Sequence, residues 1–198
     1  MLDVSRETLE RLRAFQAIVA KWNSKINLIA RSTEAEIWTR HIVDSAQIYD
    51  LAPGHAQHWA DFGSGGGFPG LVVACIAAEK NPSLQVTLVE SDQRKCAFLR
   101  SASLELGLKP QILTQRIEAI PPLGADVVSA RALASLDQLC AFAHRHLSPQ
   151  GAAIFPKGKT ADQEIESARQ NWQFHLTRIQ SETDESACLL KLEDLTHA

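Results

Sequence analysis

Apolar residues recur along the first part of the chain at helical spacing. Leu9, Leu12, Phe15, Ile18, Val19 and Trp22 return every three or four positions, the period of one buried face, and Ser5 stands where it can cap the first turn. Asn23 and Asn27 interrupt the pattern. Thr33 and Glu36, at capping-box spacing, open a second predicted helix that runs to about Asp50, where Leu51-Ala52-Pro53-Gly54 ends it. From His58 onward, short apolar runs alternate with helical stretches. Strands are predicted over 58–62, 85–90, 111–113, 125–129, 152–155, 174–179 and 188–192. Helices are predicted over 71–79, 93–106 (with Gly107 behind it), 135–146 and 161–171. Alternating strand and helix predicts a parallel sheet covered on both faces. The last two strands have no helix between them, which predicts an antiparallel edge hairpin. The expected fold class is therefore α/β, a Rossmann-like and mostly parallel seven-stranded sheet with an N-terminal helical extension. Residues 1–52 form that extension and 53–198 the sheet domain, one structural unit overall.

Length and composition agree with this picture. At 198 residues and 45% hydrophobic content the chain suits one core. Its longest apolar run, 71–78, is far short of the roughly 20 residues that span a bilayer, so no membrane segment is expected. Acidic residues near the start, in Leu2-Asp3-Val4-Ser5-Arg6-Glu7, are unlike a secretory leader, and a cytoplasmic protein is expected. Cys75, Cys96, Cys140 and Cys188 lack C-x-x-C spacing and read as buried thiols, without metal. A net charge of -3 argues against a nucleic-acid footprint spread over the whole surface. The acidic excess lies in residues 160–198, with three Lys/Arg against eight Asp/Glu, so a basic groove elsewhere stays open.

The strongest local signal is Asp61-Phe62-Gly63-Ser64-Gly65-Gly66-Gly67-Phe68-Pro69-Gly70, between a predicted strand and a predicted helix. Glycines let the backbone turn sharply and approach a ligand, and the helix N-terminus adds free N–H groups. Asp61 is suited to a cationic amino group, and Glu90, at the end of the second strand, to ribose hydroxyls. Gly65-Gly66-Gly67-Phe68-Pro69-Gly70 also satisfies G-x-G-x-x-G, so a nicotinamide-dependent oxidoreductase is an alternative. A long helical segment before the glycine-rich strand, and Asp61 two residues ahead of the first glycine, favour S-adenosylmethionine instead.

Three more strings accompany the loop: Trp22-Asn23-Ser24-Lys25-Ile26-Asn27-Leu28, Arg40-His41-Ile42-Val43-Asp44-Ser45 and Ser129-Ala130-Arg131-Ala132. With all four in order, the chain resembles the ribosomal RNA small subunit methyltransferase G family, also called glucose-inhibited division protein B, over roughly residues 15–160. The resemblance implies a class I methyltransferase that uses S-adenosyl-L-methionine to methylate N7 of the guanine at position 527 (standard rRNA numbering), in the 530 loop of 16S ribosomal RNA. Carried over to this sequence, it implies that Gly63 and Phe68 line the cofactor, that Ile117 and Glu118 meet its adenine, and that Arg131 closes the site. The expected cofactor residues are thus Asp61, Gly63, Ser64, Gly65, Phe68, Glu90, Ile117, Glu118 and Arg131. A non-catalytic ribosome-binding protein with a methyltransferase shell is the third reading. The expected partner is 16S ribosomal RNA or the 30S subunit, met by a monomer.

His41, Asp44 and Ser45 fall on one helical face, yet neighbours on one helix rarely form a base-to-nucleophile relay. A polar network that locks the helical extension to the sheet domain is the preferred reading. Arg131 follows a strand at the sheet end where open α/β folds place their ligands, and a positioning role is expected of it. Lys157 and Lys159 follow the fifth strand in a place suited to phosphate, and with Arg40 and His41 they are the expected substrate contacts. Trp22, Trp38, Trp59 and Trp172 read as packing residues.

The expected mechanism follows partly from missing motifs. Guanine N7 has an in-plane lone pair and no proton, so its methylation needs alignment more than a general base. Pro121-Pro122 is followed by Leu123, which departs from the Asn/Asp-Pro-Pro-Tyr string of exocyclic-amine enzymes, and no Cys follows a Pro.

Overall fold

The computed structural model describes residues 2–198. Helix α1 (Arg6–Asn23) begins where expected, with the Ser5 hydroxyl accepting the N–H of Thr8. Its buried stripe is Thr8, Leu12, Phe15, Ile18 and Val19. Leu9, expected in that stripe, lies beside it and is 39% exposed. Trp22 is half-buried, edge-on to Phe98.

The second predicted helix is not continuous. A 3-10 turn (Arg31–Glu36), a π-helical turn (Trp38–Val43), the short α2 (Asp44–Ala46) and a 3-10 turn (Tyr49–Leu51) take its place. Thr33 does not cap it, because it lies inside the 3-10 turn whose N-cap position is Ala30, and its hydroxyl donates to the Ala30 carbonyl.

The sheet consists of β1 (His58–Phe62), β2 (Gln85–Val89), β3 (Gln111–Leu113), β4 (Ala125–Ala130), β5 (Leu147–Lys157), β6 (Trp172–Gln180) and β7 (Cys188–His197), in the order β3-β2-β1-β4-β5-β7-β6. β3, β2, β1, β4 and β5 pair in parallel, and β7 runs antiparallel to both β5 and β6. The expected hairpin is present, with β6 as the edge and β7 inserted inside it. β5, β6 and β7 extend beyond the predicted apolar runs, because their polar ends still pair across the ladder.

Helices α3 (Gly70–Lys80), α4 (Gln93–Glu105), α5 (Leu136–His146) and α6 (Ala161–Ala168) cover the sheet. α6 ends three residues short of the predicted 161–171. Strand parity divides the interior into two cores. Trp59, Leu88, Val127, Ile154 and Leu189 face α1, α3 and α4, whereas Ala60, Phe62, Val89, Val128, Phe155 and Leu190 face α5 and α6. All four cysteines are buried and free. Among the described residues no helix is long and apolar enough to cross a membrane, and no group of metal-ligating side chains assembles.

Candidate active site

The carboxyl ends of β1, β2 and β4 converge on a cavity of about 340 Å3. Gly63, Glu90, Ile117, Glu118 and Arg131, all expected cofactor residues, line it. So do Lys95, Arg116, Leu133 and Gln138, which sequence reasoning did not single out. The loop closes back on β2, since Gly63 and Ser64 both donate their N–H to the Val89 carbonyl. Gly63 has φ +63°, and a Cβ there would come within 2.6 Å of a Leu133 methyl on the cavity wall. Glu90 accepts the N–H of Gly65 at 3.0 Å and of Asp92 at 2.8 Å, which orients its carboxylate at the end of β2. The turn at Ile117–Ala119 is held from α5, with His146 Nε2 bonded to the Ile117 carbonyl and Arg145 donating to that of Ile120.

Asp61, Ser64 and Phe68 turn away from this cavity. Asp61 shares its face of β1 with Trp59, so its side chain enters the α3 core rather than the ligand space. There it is fully buried and accepts from Gly70 N at 3.2 Å and Ser129 Oγ at 2.7 Å, while Ser129 accepts from Trp59 Nε1. Burial pushes the Asp61 carboxyl up to about 6, despite those bonds. In this structure Asp61 ties β1 to α3 and β4. Ser64 is likewise sealed, its hydroxyl donating to the Asp61 carbonyl. Phe68 is 4% exposed and its ring lies 5.1 Å from both Phe15 and His41. Gly65 meets the site through its N–H bond to Glu90.

A second cavity, also about 340 Å3, lies on the other side of Arg131. Arg40, Asp44, Lys157, Thr183 and Asp184 line it, and Arg131, Ala132 and Ala134 border both cavities. Ala132 has φ +51°. That left-handed conformation in a residue with a Cβ costs on the order of 1–2 kcal/mol, and it falls on the wall the cavities share.

Arg131 is the hub of this region. Its Nη1 donates to Asp44 Oδ2 and to the Arg40 carbonyl, both at 3.2 Å, and its Nη2 to His41 Nδ1 at 2.8 Å. Because arginine only donates, His41 Nδ1 is the acceptor and Nε2 carries the hydrogen, which goes to Thr33 Oγ1 at 2.8 Å. Burial, with the Arg131 and Arg40 charges, lowers the His41 pKa to about 4. Both nitrogens of His41 are engaged within this network. It does not belong to a triad, since the buried Ser45 hydroxyl has no hydrogen-bond partner among the described residues. The expected network between helical extension and sheet domain is present, with Arg131 at its centre.

The remaining substrate candidates separate. Lys157, expected near phosphate, has a side chain only 9% exposed that donates to Glu164 Oε2 at 2.7 Å and to the Ala134 carbonyl. A lysine spent on an internal carboxylate anchors the cavity wall. Lys159 is exposed. Arg40 lines the second cavity and reaches Asp184 only loosely, at 3.7 Å.

The model of the family described as rRNA small subunit methyltransferase G matches residues 8–187. A protein of Ruegeria sp. (strain TM1040) named ribosomal RNA small subunit methyltransferase G is 52% identical over 192 residues, 97% of this chain and 93% of its own length. Among solved structures, a ribosomal protein L11 methylase from Lactobacillus delbrueckii subsp. bulgaricus superposes with a TM-score of 0.60 at 16% identity, over 75% of this chain and 76% of its own. A variant of MtNAS in complex with S-adenosylmethionine gives a TM-score of 0.61 at 14% identity, over 92% and 71%. These structural neighbours establish the class I methyltransferase fold. The sequence match over nearly the whole chain sets the nicotinamide alternative aside: this protein belongs to the rRNA small subunit methyltransferase G family.

Proposed function

We propose that the protein transfers a methyl group from S-adenosylmethionine to N7 of the guanine at position 527, in the 530 loop of 16S ribosomal RNA. The observation that carries this reading is the pair of cavities meeting across Arg131 and Ala132 at the carboxyl end of β4. One suits a cofactor and the other a base presented out of its stack. The first cavity fits S-adenosylmethionine by the chemistry of its lining. Glu90 offers a carboxylate to ribose hydroxyls, Ile117 an apolar side chain to a purine, and a Cβ at Gly63 would intrude on the wall. When bound, that cofactor supplies an electrophilic methyl group. The MtNAS structure, which shares the fold, was determined with S-adenosylmethionine.

The second cavity favours a nucleophile that needs no deprotonation. Asp44, Glu164 and Asp184 are its carboxylates, and each is paired with a cation: Arg131, Lys157 and Arg40. A paired carboxylate is a poor general base, because proton uptake would abolish its ion pair. Guanine N7 requires none. Arg131 orients and stabilises the site electrostatically, while the exposed Lys159 and the half-exposed Arg40, whose ion pair with Asp184 is long, are the cations within reach of RNA phosphate. Residues 1–52 and 53–198 act as one unit, because Arg131 of the sheet domain is held by Arg40, His41 and Asp44 of the extension. A ribosomal substrate fits a cytoplasmic protein, which on this reading acts as a monomer on the rRNA or the 30S subunit.

The test is methyl transfer from tritiated S-adenosylmethionine to 16S rRNA and to 30S particles from cells lacking the protein, with the modified nucleotide mapped. Label at N7 of guanine 527 is expected. Replacing that guanine by 7-deazaguanine should abolish transfer while binding persists. Methylation of the deaza RNA would overturn the N7 assignment, and cofactor binding without turnover would indicate a non-catalytic ribosome-binding protein.

A further inference from the structure

Two arms from opposite ends of the chain hold the Arg131 guanidinium. The first runs from Arg131 Nη2 through His41 to Thr33, whose hydroxyl donates to the Ala30 carbonyl. The second passes through Asp44. Its Oδ2 accepts from Arg131 Nη1 at 3.2 Å, and its Oδ1 accepts from Thr183 Oγ1 at 2.8 Å. Thr183 lies in the connection between β6 and β7, about 140 positions from Asp44 in sequence. Hydrogen-bond direction is fixed along this arm. A carboxylate only accepts, so the single Thr183 proton goes to Asp44, and Ser181 Oγ, 3.0 Å away, must donate to Thr183. The connection is itself moored on the helical extension, since Gln47 Oε1 accepts the Glu182 N–H at 2.7 Å.

The same connection faces the second cavity, to which it contributes Ser181, Thr183, Asp184 and Ala187. We propose that Thr183 is a positioning residue for methyl transfer: its hydroxyl orients Asp44, which orients Arg131 where the two cavities meet. The hairpin tip that walls the second cavity thereby sets the direction of the guanidinium. This rests on the reading of that cavity as the substrate site. A carboxylate held at one oxygen can swing about its last torsion, whereas one held at both oxygens fixes the donor it receives. At metal sites, removing a hydrogen bond that orients a ligand lowers affinity or activity by about 10- to 100-fold.

Thr183→Val keeps the side-chain shape and deletes the donor, and Thr183→Ser restores it. Single-turnover transfer to the RNA is expected to fall about tenfold in Thr183→Val and to return within about twofold of wild type in Thr183→Ser. The dissociation constant for S-adenosylhomocysteine should change much less than the rate in both, because Thr183 does not line the first cavity and Arg131 borders it only at the wall shared with the second. A second measurement is independent of turnover: the Arg131 Nη–H signals in 15N-labelled protein, separate when rotation is hindered. They should be separate in wild type and in Thr183→Ser, and merged in Thr183→Val. Should Thr183→Val fold poorly, the same signals are followed in Thr183→Ala. Wild-type rate and wild-type Arg131 signals in Thr183→Val would overturn the proposal. So would an equal loss in Thr183→Ser, or a loss of cofactor affinity that accounts for the whole rate change. If wild-type protein methylates no 16S rRNA, the proposed function fails and the Arg131 signals alone decide this inference.

Discussion

Asp61 and His41 are both buried, and they titrate in opposite senses. Asp61 takes up its proton at about 6 in the fold against 3.8 in the unfolded chain, so it stabilises the native state as pH falls from about 6 to 4. His41 has a folded value of about 4 against 6.5 unfolded, so over that range the unfolded chain binds more protons and stability is lost as pH falls. The two effects oppose each other in the wild type. Asp61→Asn should therefore steepen the acid-side loss of stability, and His41→Asn should flatten it, read as urea midpoints between pH 7 and pH 4. The reverse ordering would contradict the burial assigned to these groups. Glycines separate in a similar way. A Cβ at Gly70 would collide with Leu88 and come 2.7 Å from the Asp61 carboxylate, so Gly70→Ala should destabilise by about 1–3 kcal/mol through overpacking. At Gly63 the obstacle is the far end of Leu133, beside a strained φ, so Gly63→Ala should keep most of the stability and lose cofactor affinity in calorimetric titration. For the chemistry, the transfer rate should be nearly flat between about pH 6 and pH 9, as expected of a nucleophile with no proton to lose. A log-linear rise of slope near one would point to another acceptor atom.

Among the elements, the irregular helical stretch from Arg31 to Leu51 departs most from expectation. Its apolar spacing suggests one amphipathic helix, but the π-helical turn at Trp38–Val43 changes the phase, and the stretch presents the Arg40 carbonyl, His41 and Asp44 to a single guanidinium. Such turns are often found at functional sites, where an inserted residue re-aims side chains. The end of β5 shows a comparable division between neighbours. Lys157 bonds inward to Glu164 and Ala134, whereas Lys159 is exposed. Lys157→Met should cost roughly 1–3 kcal/mol, because Glu164 would keep a charge without its partner. Lys159→Ala should leave the unfolding midpoint unchanged and reduce the salt dependence of RNA binding by a slope of about 1. Equal loss of stability in both variants would show that Lys157 is no anchor.

Across the whole molecule, the helical extension is part of the core rather than an appendage. Leu12, Phe15, Ile18 and Val19 belong to the same buried cluster as Leu71, Val72 and Leu88. At about 1.5–3 kcal/mol for each buried side chain, those four contribute roughly 6–12 kcal/mol. Domain stability as a whole is about 5–15 kcal/mol. Deleting the first 52 residues should therefore abolish cooperative unfolding, which calorimetry would detect, and a sharp transition in the truncated protein would refute the estimate. The sequence by itself determined what depends on near neighbours: the strand and helix periods, the glycine turn, the Ser5 cap and the place of Glu90 after β2. It also carried, through four ordered motifs, the family resemblance. Strand parity was legible as well, and counting it from Trp59 puts Asp61 on the α3 face. Only the tertiary structure decided which polar groups are spent internally, because Lys157, Ser64 and His41 read alike as exposed or bonded until their partners are known. It alone joined Thr183 to Asp44 and Arg131. β6 runs parallel to β5 across the inserted β7, so the hairpin tip emerges at the carboxyl end of the sheet, where the two cavities lie. That proximity depends on the order of strands, and no local pattern of residues encodes it.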